Sequence, residues 1–407
     1  LPFIFLLLLN PLLHALLPAL LLLLHGMPLQ AQSPTQSPTQ ATAQAANKKH
    51  AATHNAAPSA ARKQKGEKGA SRARAPAPAP ATGKPLDPAA LERFIDEMVT
   101  QQAFDRAMLQ NLFRQVRQLP AVVDAMTPPA QAPVRSWRSY RASFLNEARL
   151  SAGEQYLQRH HEVLARASSQ YGVPEEVIAA ILGVETIYGR NTGNWRVIDA
   201  LATMALGAAN GMPPGSLPRA EFFRDELASF LVFVRDQKLD ALSVRGSYAG
   251  AFGIPQFMPG SWRRWGIDFD GDGRADLRAS HADAIGSVAN FLASHGWERD
   301  APIAFDAQLQ GEGWRTLIDG TVKPVQSLAT LAAAGARIAP LGGEPLPQPD
   351  PTLDPARLGI LIELRSSDAD PAYRIGLHNF WVITRYNRSS FYASAVLDFA
   401  LALRARR

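Results

Sequence analysis

YGVPEEVIAAILGVETIYGR, Tyr171 to Arg190, is the stretch whose reading decides the fold. Pro174 followed by Glu175 and Glu176 has the composition of a first helical turn, with the ring at N1 and acids at the positive end of the dipole. A helix is therefore predicted to start near Pro174. Counting by three and four, Val177, Ile178, Ile181 and Leu182 form an apolar stripe, and the same spacing lands on Glu185 before Gly189 ends the pattern. A carboxylate thus stands where an apolar side chain is expected. Burial and the negative end of the dipole both favour its protonated form and raise its pKa, which is the behaviour of a general acid. The same residues also fit a buried Glu neutralised by a base such as Arg190, because structural ion pairs perturb pKa values too. The stretch alone does not separate the two.

On both sides of it the chain carries further helical periodicity: LERFIDEMVTQQAF from Leu91, MLQNLFRQVRQL from Met108, WRSYRASFLNEARL from Trp137, EQYLQRHHEVLARASSQYG from Glu154 and RVIDALATMAL from Arg196. In EFFRDELASFLVFVRDQ, Phe222, Phe223, Leu227, Leu231 and Val234 fall on one apolar side and are read as core. The expectation is an α+β protein, mostly α-helical, and 407 residues at 46% hydrophobic content are enough for a large core. The front of the chain is different. Residues Leu1 to Leu24 are Leu-rich but interrupted by Asn10, Pro11, His14 and Pro18, and Leu29-Gln30-Ala31 is a tolerable cleavage site. Residues 1–31 read as a secretory signal, with an N-terminal hydrophobic anchor as the competing reading. Residues 32–87 hold almost no large apolar side chains and are expected to be a disordered basic linker rich in Pro and Ala. Between Lys48 and Lys84 nine Lys or Arg face the single Glu67, a run attracted to anionic polymers or lipid surfaces. No stacking aromatics interleave with these cations, which argues against nucleic acid as a partner. The absence of cysteine rules out disulfides, thiol catalysis and thiolate metal sites. The folded catalytic region is expected over 88–407.

Two more segments carry chemistry. GSYAGAFGIPQFMPGSW, Gly246 to Trp262, combines four glycines that permit close backbone approach with Ser247, Tyr248 and Gln256 as donors and acceptors, a pattern suited to a polar polymer in a groove. A structural turn is the alternative. In DFDGDGRADL, Asp268, Asp270 and Asp272 occupy positions 1, 3 and 5 of a calcium loop and Gly273 the sixth-position turn. Position 7 lends the Arg274 carbonyl and position 9 is Asp276, but position 12 is Ala279 where a bidentate Glu belongs. Asp283 closes the shell if the loop is longer. A metal-free acidic turn is the other reading.

With VETIYGR, the Gly/Gln loop and the acidic loop in this order, the chain resembles the lytic murein transglycosylase B family from about Phe94 to the C-terminus. RVIDALATMA, DAIGSVANFLASHGW (Asp283 to Trp297) and NFWVITRYNRSSFYASAV (Asn379 to Val396) extend the match. The resemblance implies a lysozyme-like catalytic core with added helices, a small domain and an EF-hand-like calcium loop, and cleavage of the β-1,4 bond between N-acetylmuramic acid and N-acetylglucosamine. It makes Glu185 the catalytic residue, and Ser247, Gln256, Phe257 and Met258 the groove-lining segment. Tyr386, Asn387 and Tyr392 fall in a C-terminal segment that contributes to the sugar site. It assigns Asp268, Asp270, Asp272 and Asp283 to structural calcium, with no organic cofactor. Phe291 stands where Tyr is common, Gly260 where Ser is common, and Phe252 where Met is usual. Peptidoglycan strands are the implied partner, proteins of cell-wall synthesis or remodelling are left open, and the periplasm is the expected compartment. Ordinary glycosidases flank the scissile bond with two carboxylates, whereas these motifs present one. A lone Glu suffices if it first protonates the bridging oxygen and then deprotonates the 6-hydroxyl, leaving a 1,6-anhydro end. A hydrolytic lysozyme or chitinase and a non-catalytic wall-binding protein are the rival readings. Asp199 is the nearest second acid in sequence, in a setting that favours a cap or hydrogen-bond role.

Overall fold

The computed structural model describes residues 85–126, 136–207, 217–341 and 353–407. The signal or anchor expected over 1–31 and nearly all of the expected linker lie outside them. Asp87 caps the first helix, its side chain accepting from the amide of Ala90 at 2.7 Å, with Pro88 in the first turn. Helices α1 (Pro88–Gln102), α2 (Arg106–Phe113) and α3 (Pro120–Met126) are followed by α4 (Trp137–Phe144), α5 (Glu147–Arg159), α6 (His161–Tyr171) and α7 (Glu175–Thr186).

The helix of the opening stretch, α7, is apolar on every side, and from Glu176 to Val184 each of its residues is buried. It packs against α5 and α6 and against two later helices, α11 (His281–Ser294) and α14 (Ser390–Arg404). A helix hydrophobic all round belongs at the centre of a bundle. Its small residues allow the approach: a Cβ on Gly183 would stand 2.6 Å from the Phe399 ring of α14. Pro174 is the cap residue, with ψ 141°, and not the first helical position as its sequence suggested. Its carbonyl still takes the first amides, those of Val177 and Ile178. At the other end Ile187, Tyr188 and Gly189 all have positive φ, at 52°, 59° and 82°. The amide of Tyr188 reaches back to the carbonyl of Leu182 and that of Ile187 to Gly183. A β-branched residue in this region is strained and persists only where its surroundings hold it.

After α7, strands β1 (Trp195–Arg196) and β2 (Arg245–Gly246) pair antiparallel around α8 (Val197–Leu206) and α9 (Leu217–Asp236), and α10 (Pro259–Trp265) precedes α11. Gly193 is required beside this ribbon, since a Cβ there would fall on the carbonyl of Gly246. A five-stranded antiparallel sheet follows. It comprises β3 (Ala304–Leu309), β4 (Gln326–Ser327), β5 (Ala336–Ala339), β6 (Leu358–Leu364) and β7 (Ala372–Gly376), in the order β4-β6-β7-β3-β5. With α12 (Leu328–Ala333) it encloses a second core of Trp314, Leu328, Leu331, Leu361, Ile375 and Leu377. Helix α13 (His378–Tyr386) leads from the sheet back to α14. A buried ionic network ties the two parts: Arg374 of β7 donates to Asp398 of α14 at 2.5 Å and to Asp306 of β3 at 3.2 Å, while Arg141 of α4 donates to the other Asp398 oxygen at 2.6 Å.

Candidate active site

Glu185 is the penultimate residue of α7, and its carboxyl group accepts a 2.7 Å hydrogen bond from the hydroxyl of Tyr392, which is fully buried on α14. Desolvation pushes the Glu185 carboxyl up to about 7, against the opposing pull of the Tyr392 hydrogen bond. Burial first, and then the neighbouring Glu185, hold the Tyr392 and Tyr386 phenols far above their usual range, so both remain protonated. No ion pair to Glu185 occurs among the described residues, and Arg190, the alternative partner in sequence, is exposed. The carboxylate is partnered by a phenol and not by a cation.

Thr186, unremarked in the sequence, holds this end of the helix. Its hydroxyl donates to the carbonyl of Ile254 at 2.7 Å and accepts from the amide of Gly189 at 2.8 Å, closing the strained turn onto the Gly/Gln loop. The amide of Ile254 in turn donates to the carbonyl of Leu277, at the end of the acidic loop. Three segments separated in sequence are thereby fixed around Glu185.

The groove residues named from sequence divide. Gln256 adopts φ 52° and spends its amide on the carbonyls of Thr192 at 3.0 Å and Gly253 at 2.9 Å, which leaves its side-chain oxygen as the acceptor for a ligand. Gln256, Phe257, Met258 and Tyr386 line one cavity of about 360 Å³, together with Phe291 and Trp265. Tyr386 donates to the carbonyl of Pro255 at 2.5 Å and stacks on Tyr392 at 6.3 Å, connecting the cavity wall to the partner of Glu185. Ser247 is buried and its hydroxyl accepts from the amide of Ala251 at 3.1 Å within its own turn, and Tyr248 is buried as well. Neither lines the cavity. Asn387 is buried beyond the end of α13, with its side-chain oxygen unsatisfied among the described residues. Tyr392 is placed behind the acid and not on the cleft surface. Phe222, read as core, is exposed and lines the cleft.

The cleft is cationic. Arg219, Arg264, Arg385 and Arg388 line it against one acid, Glu226, which is buried and accepts from the amide of Gly260 at 2.7 Å. Burial raises the Glu226 carboxyl, and burial together with the nearby arginines lowers His295. Burial and Arg385 likewise lower Arg388. These arginines carry no helical or turn signature, and the only cue to them is adjacency: Arg264 follows the Gly/Gln loop, and Arg385 and Arg388 flank Tyr386 and Asn387. Asp199 is not a second acid for this cleft. Both its oxygens bond Arg196, at 2.5 and 2.8 Å, and it accepts from the amide of Arg117.

In the acidic loop, ligand oxygens of Asp268, Asp270 and Asp283 lie within 4.8 Å of one another. Asp272 accepts from the amide of Arg274, and Asp276 pairs with the guanidinium groups of Arg274 and Arg278, so that of the five carboxylates read from sequence three converge side chain to side chain. The buried Asp283 accepts from the amides of Phe269, Asp270 and Asp276, closing the shell where Ala279 supplies no ligand. Hard, converging oxygen donors of this kind fit a divalent cation such as calcium.

The structure is a helical bundle with a small appended sheet and with desolvated carboxyls at Glu226, in the lining of a cationic and aromatic cleft, and at Glu185, outside that lining and joined to the cleft wall through Tyr392 and Tyr386. Its relatives make it a lysozyme-like transglycosylase. The chain belongs to the transglycosylase SLT domain family, which matches residues 87–401. It is 36% identical over 326 residues to membrane-bound lytic murein transglycosylase B of Escherichia coli, covering 78% of this chain and 83% of that protein. It resembles the crystal structure of soluble lytic transglycosylase SltB1 from Pseudomonas aeruginosa (41% identity, TM-score 0.69, 78% of this chain and 99% of that one). The Escherichia coli lytic transglycosylase Slt35 in complex with calcium matches at 36% identity and TM-score 0.67, covering 78% and 93%. SltB3 from Pseudomonas aeruginosa in complex with NAG-NAM-pentapeptide matches at 30% identity and TM-score 0.63, covering 77% and 79%.

Proposed function

We propose that this chain cleaves the β-1,4 bond between N-acetylmuramic acid and N-acetylglucosamine in peptidoglycan, with Glu185 as acid and then base. The observation that carries the reading is the environment of Glu185: a carboxyl pushed to about 7 by desolvation and partnered by the Tyr392 phenol keeps a proton to donate near neutrality. Glu185 gives that proton to the bridging oxygen as the bond to the anomeric carbon breaks. The carbonyl oxygen of the substrate's own N-acetyl group stabilises the anomeric centre. The Glu185 carboxylate then takes the proton of the 6-hydroxyl, whose oxygen closes on the anomeric carbon. The proton is back on Glu185, and the product ends in 1,6-anhydro-N-acetylmuramic acid without water consumed. Intramolecular positioning of the 6-hydroxyl replaces the second carboxylate. The pairing of Asp199 with Arg196 supports this route over hydrolysis.

Gln256, Met258 and Tyr386 supply the cleft wall for the sugars. Asp268, Asp270 and Asp283 would hold calcium, whose contribution there is to stiffen the loop that Leu277 joins to Ile254. Export to the periplasm, with residues 1–31 as signal or anchor, agrees with the membrane-bound relative. No helix of the described residues is long and apolar enough to cross a membrane. Mass spectrometry of digested peptidoglycan tests the proposal: anhydro ends, lighter by one water than reducing ends, are expected from the parent and not from Glu185→Gln, whose loss is at least about a hundredfold. Predominantly reducing-end muramic acid overturns it.

A further inference from the structure

We infer that a second groove, one helical turn along α13 from the cleft, holds the stem peptide of the substrate strand. The inference rests on the peptidoglycan reading above. His378 and Trp381 of α13 border a cavity of about 570 Å³, faced on the other side by Lys323, Pro324, Arg357 and Leu358 at the β4 edge of the sheet, with Glu298, paired to Arg357, as its one acid. Leu358 and the neighbouring Val325 are 51% and 54% exposed, the most exposed large apolar side chains among the described residues. Large apolar groups left in water beside a concavity mark a contact surface.

The floor is rigid. Buried Asn379 clamps the Glu298 peptide from both sides, accepting from its amide at 2.9 Å and donating to its carbonyl at 2.8 Å, with a further bond to the carbonyl of Ala301 at 3.0 Å. Glu298 then receives Arg357 at 2.7 Å. His378 donates through Nε2 to the carbonyl of Gly296 at 2.8 Å, which fixes its ring at the start of α13. Lys323 has no ion-pair partner among the described residues.

Chemistry selects the peptide over more sugar. The glycan carries hydroxyl and acetamido groups but no free carboxylate once the lactyl group is amide-linked, so the negative charge of a strand sits in its stems. A stem alternates small alanyl methyls with carboxylate-bearing residues, which pairs Val325 and Leu358 with methyls and Lys323 with a carboxylate. Reach agrees: α13 rises about 12 Å between His378 and Tyr386, and an extended pentapeptide spans about 17 Å. Arg385, 5.5 Å from the Trp381 ring, bridges the two cavities as a lining residue of the first. A strand with its sugar beside Tyr386 thus has the reach to place its stem in this groove.

The test is calorimetric binding to the full chain carrying Glu185→Gln, with NAG-NAM-pentapeptide and with peptide-free NAG-NAM, its lactyl carboxyl capped as the methylamide, as the two probes. Adding Lys323→Glu, or separately Leu358→Asp, is expected to weaken the peptide-bearing probe about tenfold and leave the peptide-free probe unchanged. Both positions are at the surface, and an unchanged melting temperature checks that the fold survives. Unaltered binding of the pentapeptide probe, or equal loss for both probes, overturns the inference while leaving the peptidoglycan reading intact. Failure of the unmodified background to bind either probe overturns the peptidoglycan reading itself.

Discussion

Two carboxylate sites lie about Ile254, built from the same functional group toward opposite ends. At the end of α7 a single acid is desolvated and given one neutral donor, the Tyr392 hydroxyl, so that desolvation wins and its pKa is pushed up to about 7. In the loop that starts at Asp268, several acids crowd together and backbone amides meet them: Gly271, Asp272 and Gly273 donate to Asp268, and Phe269, Asp270 and Asp276 to Asp283. Amide donors favour the charged form and desolvation the neutral one. Against desolvation, the amides hold the exposed Asp268 below its ordinary range, whereas at the buried Asp283 desolvation wins and raises the carboxyl, as it does at Glu185. Side-chain identity thus says little about role, and the count and kind of donors say much. On the proposed function the first site would move a proton, and the second would collect charge for a cation to neutralise.

If that contrast holds, the lone acid costs stability when it ionises. The native state keeps the Glu185 proton up to about 7, whereas the unfolded chain releases it near 4.5. Between these values the native state binds more protons, so stability falls as pH rises through the window. Glu185→Gln lacks this penalty. It is expected to match the parent near pH 4 and to exceed it by at most about 3 kcal/mol above pH 7. Urea unfolding at pH 4 and pH 8 measures the difference, and an equal stability difference at both values breaks the contrast.

The acidic loop should respond in the opposite currency, to metal and not to protons. Calcium at about a hundred times its dissociation constant is expected to stabilise the parent by about 2.7 kcal/mol. Asp283→Asn is expected to lose most of that increment. Because Asp283 also anchors three amides, the readout is the calcium-minus-chelator difference in melting temperature for each protein, which cancels the structural cost of the substitution. Equal increments in parent and variant would show that these carboxylates are not the ligands.

How much of this was legible in the chain follows from the range of the forces involved. The inward turn of Glu185 is a local matter of helical spacing, and Val177, Ile178, Ile181 and Leu182 are buried as their periodicity demands. The end of the helix was less legible: Gly189 marked it, but the left-handed turn begins at Ile187, a residue with poor intrinsic preference for it, held by Thr186 through a contact 68 positions away. Ser247 and Gln256 offer similar chemistry in the sequence, and only the paired backbone around them turns one into its own loop and the other to the cleft wall. Phe222 shares the apolar spacing of Phe223, yet α9 passes the cleft at that point and leaves Phe222 exposed. The separation of Asp276 from the converging acids has the same origin, since the Arg274 and Arg278 guanidinium groups pair with it at close range.

The smallest expected effect tests the hydrogen bond that separates the two sites in kind. The Tyr392 hydroxyl stabilises the ionised form of Glu185 and so holds its pKa lower than burial alone would. Tyr392→Phe preserves the buried ring and removes only this donor. The acid must be protonated to donate, so activity falls as pH rises through the Glu185 pKa, and in the variant that alkaline limb is expected to move to higher pH. A carboxylic acid of higher pKa is also a weaker donor, so the plateau of kcat below the limb is expected to fall. The two shifts have opposite consequences, a lower maximum reached over a wider pH range, and a general loosening of the site produces the first without the second. Muropeptide turnover followed from pH 5 to 9 separates them: a limb that stays in place, or moves to lower pH, would show that the phenol positions substrate and does not tune the acid.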